Sequence, residues 1–172
     1  MNYKQNNITE THRLIIDECR LEDDAFYLDL LNQPSYHKFI GDRGVRSLPE
    51  AREFIINSIL PAYSSLGFGL YVVRLKTDLK PIGVCGLVKR TYLDFPDIGF
   101  AYLEDHQGKG YGFEAGEAIK SWAIEELKLE QLYGITSPDN KASQALLCKL
   151  GLQEKELIKT DTDSPSLLFA LY

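Results

Sequence analysis

At 172 residues, with 44% apolar and 26% charged side chains, the chain has the composition of an ordinary globular protein. It is long enough to bury roughly 70% of its unfolded surface without covalent staples. No apolar run approaches the ~20 residues needed to span a bilayer, and 19 basic against 25 acidic residues (net −6) argue against non-specific nucleic-acid binding while suiting cationic substrates. Cys19, Cys85 and Cys148 are scattered, so the sequence indicates neither a disulfide framework nor a zinc site. His12, His37 and His106 share no metal-ligand spacing, and no bound metal is expected. The opening residues are polar and lack the apolar core of a secretion signal; a flexible tail over 1–10 and a cytoplasmic home are expected.

Residues 11–16 read as a first strand. A helix over 21–31 follows, with Glu22, Asp23 and Asp24 in its first turn and Pro34 beyond its end. Residues 36–46 read as a loop with a short helical piece. Ser47-Leu48-Pro49-Glu50 is a capping box that opens a helix burying Ala51, Phe54, Ile55 and Ile59. Runs over 69–75 and 82–89 form a predicted hairpin, and 97–103 a further strand. A helix from Phe113 to about 128 buries Ala115, Ala118, Ile119 and Trp122 at helical spacing. Residues 130–136 read as a strand, 141–150 as a short helix stopped by Gly151, and 152–158 with 166–172 as two closing strands. The order is β-α-α-β-β-β-α-β-α-β-β, a mixed α/β (α+β) domain over 1–172.

Chemistry concentrates in His106-Gln107-Gly108-Lys109-Gly110-Tyr111-Gly112, a Gly-rich turn opening a helix. Unpaired N–H groups beside the positive end of the helix dipole suit a phosphate or pyrophosphate. A Walker A loop needs Ser or Thr after Gly-Lys, and here Gly110 follows. Gly110-Tyr111-Gly112-Phe113-Glu114-Ala115 satisfies the dinucleotide pattern G-x-G-x-x-A. However, 104–109 separate it from the strand, and Glu130 opens the next strand instead of closing it.

Gln107-Gly108-Lys109-Gly110-Tyr111-Gly112 fits Q-x-x-G-x-G. Thr11-x-Arg13-Leu14, Asp97-Ile98-Gly99-Phe100, Asn140-x-x-Ser143 and Lys149-Leu150-Gly151 stand around it in order. Together these resemble the GNAT superfamily of acyl-CoA-dependent N-acetyltransferases, specifically its RimJ/RimL-like branch. The resemblance implies one mostly antiparallel central sheet of about six to seven strands with about four flanking helices, splayed between the strands at 97–103 and 130–136. It implies acetyl-CoA bound by Gln107, Gly108, Lys109, Gly110, Tyr111 and Gly112 at the pyrophosphate and by the backbone of Phe100, Ala101, Tyr102 and Leu103 at the pantetheine. Asn140 and Ser143 would complete that site, and an N–H of Phe100 or Ala101 would meet the thioester carbonyl.

Acetyl would pass directly to a primary amine in a ternary complex. Asp97 is the candidate base, acting through water, with Asp161 and Asp163 as rivals or plain turn residues. Many family members carry a Tyr acid where this chain has Leu147; Ser143 is the candidate here, or else only a helix-start hydroxyl. Tyr36, Phe39, Arg43 and Arg46 fall where the acceptor site usually lies, and either Arg could hold an acceptor carboxylate. Cys85 and Cys148 read as packing residues. The other functional reading is a non-catalytic acyl-CoA-binding or sensing domain. The implied partners are acetyl-CoA and an amine acceptor, without nucleic acid or membrane, for a monomer or homodimer.

Overall fold

The computed structural model describes residues 7–161 and 164–171. Eight strands form one sheet in the order β1-β2-β3-β4-β5-β6-β8-β7. They are β1 (Asn7–Glu10), β2 (Leu14–Asp17), β3 (Leu70–Leu75), β4 (Pro81–Val88), β5 (Asp97–Tyr102), β6 (Tyr133–Thr136), β7 (Gln153–Ile158) and β8 (Ser166–Ala170). Neighbours run antiparallel except β5 and β6. The eighth strand is β1, which pairs with β2 inside the stretch expected as a tail; residues 1–6 of that stretch lie outside the described residues.

The helices are α1 (Asp24–Leu31), α2 (Pro34–Phe39), α3 (Leu48–Phe54), α4 (Leu60–Leu66), α5 (Tyr111–Glu125) and α6 (Lys141–Lys149). The predicted capping box opens α3: Ser47 Oγ accepts from the Glu50 N–H at 3.4 Å. A π-turn over Ile55–Ile59 joins α3 to α4. Pro61 lacks an N–H, and its ring crowds the carbonyl four residues earlier, that of Asn57 within the widened turn. Gly67, at φ 74°, ends α4 in the left-handed conformation that favours glycine. Residues 34–39 form a helix of their own because Pro34 supplies a preset φ at its first position.

Each face of the sheet carries a core. Leu14, Ile16, Tyr71, Ile82, Leu87 and Ile98 pack with Ala115, Ile119 and Ala123 of α5. On the other face, Tyr27, Leu30 and Leu31 of α1 and Ala51 with Ile55 pack on Val72 and Val84. The two faces follow from strand alternation: Val72 and Val84 point one way, Tyr71 and Cys85 the other.

A buried ionic group ties the second face together. Arg74 Nε donates to Asp17 Oδ1 at 2.9 Å and Arg74 Nη2 to Asp23 Oδ2 at 2.9 Å, while Arg20 also reaches Asp17. Asp17 and Asp23 are 1% and 6% exposed, so each carboxylate depends on its guanidinium. The group fixes the entry to α1 against β2 and β3. Arg74→Met would leave Asp17 with Arg20 alone and Asp23 without a guanidinium, and is expected to lower stability by about 3 kcal/mol, read as a lower urea midpoint.

Candidate functional site

The sheet opens where expected, between β5 and β6. The two strands meet at one position, Asp97 opposite Tyr133, where the Tyr133 N–H donates to the Pro96 carbonyl at 3.0 Å. Beyond it they diverge, because each is held by a different neighbour. β4 pairs with β5 from Val88–Asp97 to Gly83–Tyr102, and β8 pairs with β6 from Tyr133–Ala170 to Thr136–Leu167. Phe95 packs edge-on against Tyr133 at the apex, with centroids 5.6 Å apart.

Strand alternation decides which β5 groups face the gap. The Leu103 N–H donates to the Ile82 carbonyl, which puts the backbone groups of Leu103, Ala101, Gly99 and Asp97 on the β4 side. Pro96 points its carbonyl at β6, so Ile98, Phe100 and Tyr102 share that side. Of the four residues expected to offer backbone to a pantetheine, Phe100 and Tyr102 turn theirs toward the gap, and Ala101 and Leu103 turn theirs toward β4. Of the expected pair Phe100 and Ala101, it is the Phe100 N–H that lies on the gap side. The Tyr102 side chain points into the core and is 8% exposed, and its carbonyl accepts from Gln107 Nε2 at 2.9 Å.

The glycine turn stands at the mouth of this gap. After a 3-10 turn at Glu104–His106, Gln107 is extended, Gly108 has φ 71° and Gly110 has φ 83°. Left-handed residues alternating with others turn successive N–H groups toward one side. Residues 107–110 are exposed. Helix α5 starts at Tyr111, two residues before the expected Phe113, because Gly110 itself caps it. Lys109 adds an exposed cation, and His106 rests against Tyr111, with centroids 6.5 Å apart. Partial burial and the cations Lys80 and Lys109 hold the His106 imidazole below its ordinary pKa.

The turn is also tied to α2. Glu104 offers its N–H to Gln33 Oε1 at 3.1 Å and receives the Ser35 N–H on Oε1 at 2.9 Å. Gln107 Nε2 reaches Ser35 Oγ at 3.3 Å. The segment carrying Tyr36 and Phe39 is thus hydrogen-bonded to the end of β5, a link between residues about 70 apart that no spacing rule could reveal.

Across the gap, Asn140 Oδ1 accepts the Ser143 N–H at 3.1 Å and caps α6. Gln144 Nε2 holds the Ser137 and Pro138 carbonyls. Ser143 is half-buried, and the cap uses its N–H, leaving the hydroxyl outside that bond. Leu147 is 1% exposed and packs over Gly134, so that position turns to the core.

Asp97 is the first residue of β5 and 1% exposed. Arg90 Nε and Nη2 lie 2.8 and 3.3 Å from its two oxygens. Burial pushes the Asp97 carboxyl above its ordinary range, with Arg90 opposing. Tyr92 hydrogen-bonds Arg90 and feels the charge of Asp161. Sequence reasoning missed Arg90, which sits in a loop without a motif. Asp161 is exposed; its rival Asp163 lies outside the described residues.

Arg46 is bound to Asp42, to Asn32 Oδ1 at 3.0 Å and to the Val45 carbonyl, while Arg43 is exposed. Cys85 is buried in β4, its thiol pushed up to about 12 by desolvation; Cys148, expected to pack, is exposed on α6. Among the described residues there is no group of three or more His, Cys, Asp or Glu placed to hold a metal. No helix among them is long and apolar enough to cross a membrane.

Residues 13–153 match the family model described as acetyltransferase (GNAT) domain. The chain is 26% identical over 161 residues to the uncharacterized protein YkkB of Bacillus subtilis, covering 92% of this chain and 91% of that one. It is 25% identical over 168 residues to the uncharacterized N-acetyltransferase p20 of Bacillus licheniformis, with 94% and 91% covered. Among solved structures, an acetyltransferase from Agrobacterium tumefaciens shares the fold with a TM-score of 0.82 at 23% identity, covering 100% and 97% of the two chains. Mycobacterium smegmatis RimJ, solved in complex with CoA-disulfide, gives 0.77 at 20% identity, covering 92% and 81%.

Because Asn140 caps α6, Asn140→Ala is expected to lower stability by about 1 kcal/mol, measured as a drop in the urea midpoint with an unchanged slope.

Proposed function

The chain belongs to the acetyltransferase (GNAT) family, and on that premise we propose that it moves acetyl from acetyl-CoA to a primary amine, a protein N-terminus or a small amine, by direct attack in a ternary complex. One observation carries this reading: the exposed glycine turn and the open Phe100 and Tyr102 edge are continuous. A pyrophosphate on the turn would send its pantetheine into the gap as an added strand. Acetyl-CoA supplies the activated acyl carbonyl, and no metal is needed in this scheme.

The Phe100 N–H donates to the carbonyl oxygen as the amine nitrogen bonds to the acyl carbon, stabilising the charge that develops there. The proton released by the nitrogen leaves through water toward Asp97, whose raised pKa makes it a better acceptor than an ordinary carboxylate. Arg90 screens Asp97 from direct contact with the amine, which favours that relay. The Ser143 hydroxyl donates toward the departing sulfur as the carbon–sulfur bond breaks. Gln107, Gly108, Lys109, Gly110, Tyr111 and Gly112 hold the diphosphate, and Asn140 presents Ser143.

A second reading has a specific support. Leu147 is core-facing and Asp97 is covered by Arg90, so a domain that binds acyl-CoA without turning it over would show the same two features.

Thiol release from acetyl-CoA, measured with a panel of N-terminal peptides and small amines, separates the two. Release that requires the amine supports transfer; binding of acetyl-CoA without release under any amine supports the sensor. Ser143→Ala is expected to lower kcat by about tenfold or more with the KM for acetyl-CoA within about twofold. An unchanged kcat removes Ser143 from the reaction.

A further inference from the structure

The glycine turn has an acid within its first helical turn. Glu114 lies four residues after Gly110, and a carboxylate there favours the helix dipole but repels a bound diphosphate. The hydrogen bonds that the Glu114 carboxylate accepts answer this problem. Thr11 Oγ1 donates to Glu114 Oε1 at 2.5 Å, the Arg13 N–H donates to the same oxygen at 2.8 Å, and Arg13 Nε donates to Oε2 at 2.7 Å. Thr11 and Arg13 can both reach one carboxylate because 11–14 is a tight turn. The Thr11 N–H donates to the Leu14 carbonyl at 2.9 Å, and the Leu14 N–H returns to Thr11 Oγ1 at 3.0 Å.

Arg13 then continues from Glu114 onto the turn itself. Its Nη1 donates to the Lys109 carbonyl at 3.1 Å, and its guanidinium carbon lies 4.4 Å from the centroid of the Tyr111 ring. A methyl group at Gly110 would come within 3.3 Å of Nη2. In a trans peptide the carbonyl and the following N–H point in opposite directions. Holding the Lys109 carbonyl toward Arg13 therefore turns the Gly110 N–H away from Arg13, out to the exposed side of the turn.

The geometry points to Arg13 and Glu114 as a positioning pair for the diphosphate of coenzyme A. Glu114 locks Arg13 against the start of α5; Arg13 aims the Gly110 N–H and cancels the Glu114 charge beside the phosphates. Neither residue is a catalytic residue in this scheme. The inference rests on the coenzyme A reading above and deepens it, assigning the Thr11-x-Arg13-Leu14 turn a task at a site about 100 residues away.

The pair makes an unequal prediction that a simple scaffold does not. Arg13→Met removes the cation and leaves Glu114 facing the diphosphate, whereas Glu114→Gln removes the repelling charge and the acceptor for Arg13 Nε, while its amide oxygen can still accept from Thr11 and the Arg13 N–H. Equilibrium binding of coenzyme A, by calorimetry on the full chain, is expected to weaken about tenfold or more in Arg13→Met. It should weaken clearly less in Glu114→Gln, where the lost lock on Arg13 is offset by the lost repulsion, and the double variant should recover part of the affinity lost in Arg13→Met. In turnover, Arg13→Met should raise the KM for acetyl-CoA with kcat within about twofold. Thermal unfolding of each variant is followed alongside, and Arg13→Gln, which keeps a donor for the Lys109 carbonyl, serves if Arg13→Met does not fold. Equal weakening in both single variants, with no recovery in the double, overturns the charge-cancelling role and leaves a scaffold contact. Unchanged affinity in Arg13→Met overturns the inference entirely. Failure of the wild-type chain to bind coenzyme A would instead overturn the donor-site reading itself.

Discussion

A single bridge, Asp97 beside Tyr133, joins the two halves of the sheet. Everything functional in this chain hangs on how little pairing there is beyond it. β4 and β8 each take one edge of the diverging strands, so the twist of each half carries β5 and β6 apart. The cleft is thus a consequence of two competing partners and needs no inserted loop. Its chemistry follows from the same fact. An unpaired β5 edge exposes the Phe100 backbone groups, and unpaired backbone groups in a cleft seek hydrogen-bonding partners.

The apex combines this mechanical role with an electrostatic one. Asp97 is nearly fully buried, and Arg90 brings it a half-exposed guanidinium. Breaking such a pair by removing one partner leaves a charge without compensation. The residue that closes the sheet therefore also places a carboxyl–guanidinium pair at the narrow end of the cleft. Arg74 does similar work on the second face, where one guanidinium serves two acids from different segments. In both places charges buried at a junction specify where an element enters the sheet.

Two sets of polar contacts fix the glycine-turn end of the cleft from opposite sides. Gln33, Ser35 and Glu104 join α2 to the end of β5, while Thr11, Arg13 and Glu114 join the turn before β2 to the start of α5. The glycine turn between them has left-handed residues that are intrinsically soft. Its shape is set by the hydrogen bonds on its flanks and by the Gln107 side chain, which reaches the Tyr102 carbonyl and Ser35.

Local patterns in the sequence determined most of the element types. Ser47 to Glu50 announced a helix start, the alternation in 97–103 a strand, and the apolar spacing of 115–122 a helix face. The Gly-rich turn was readable from its composition, whereas the structure alone shows that Gly108 and Gly110 take positive φ while Gly112 enters the helix. Asn140 was readable as a residue beside the pantetheine and as a helix cap, and the structure shows that it caps α6. Strand β1 was not legible: Asn7 to Glu10 carry no apolar alternation, and pairing with β2 alone makes them a strand. The separate helix α2 was visible only as a short helical piece within 36–46; Pro34 starts it, and Gln33 and Ser35 tie it to Glu104. Sequence by itself thus determined the glycine turn, the family order of motifs around it and the residue types available for acyl transfer. Tertiary structure alone decided that Phe100, and not Ala101, faces the gap, that Arg90 covers Asp97, and that Arg13 reaches Glu114. Backbone direction depends on which neighbour a strand pairs with, and charge pairing depends on contacts between residues far apart in the chain. Neither is written in any local run of side chains.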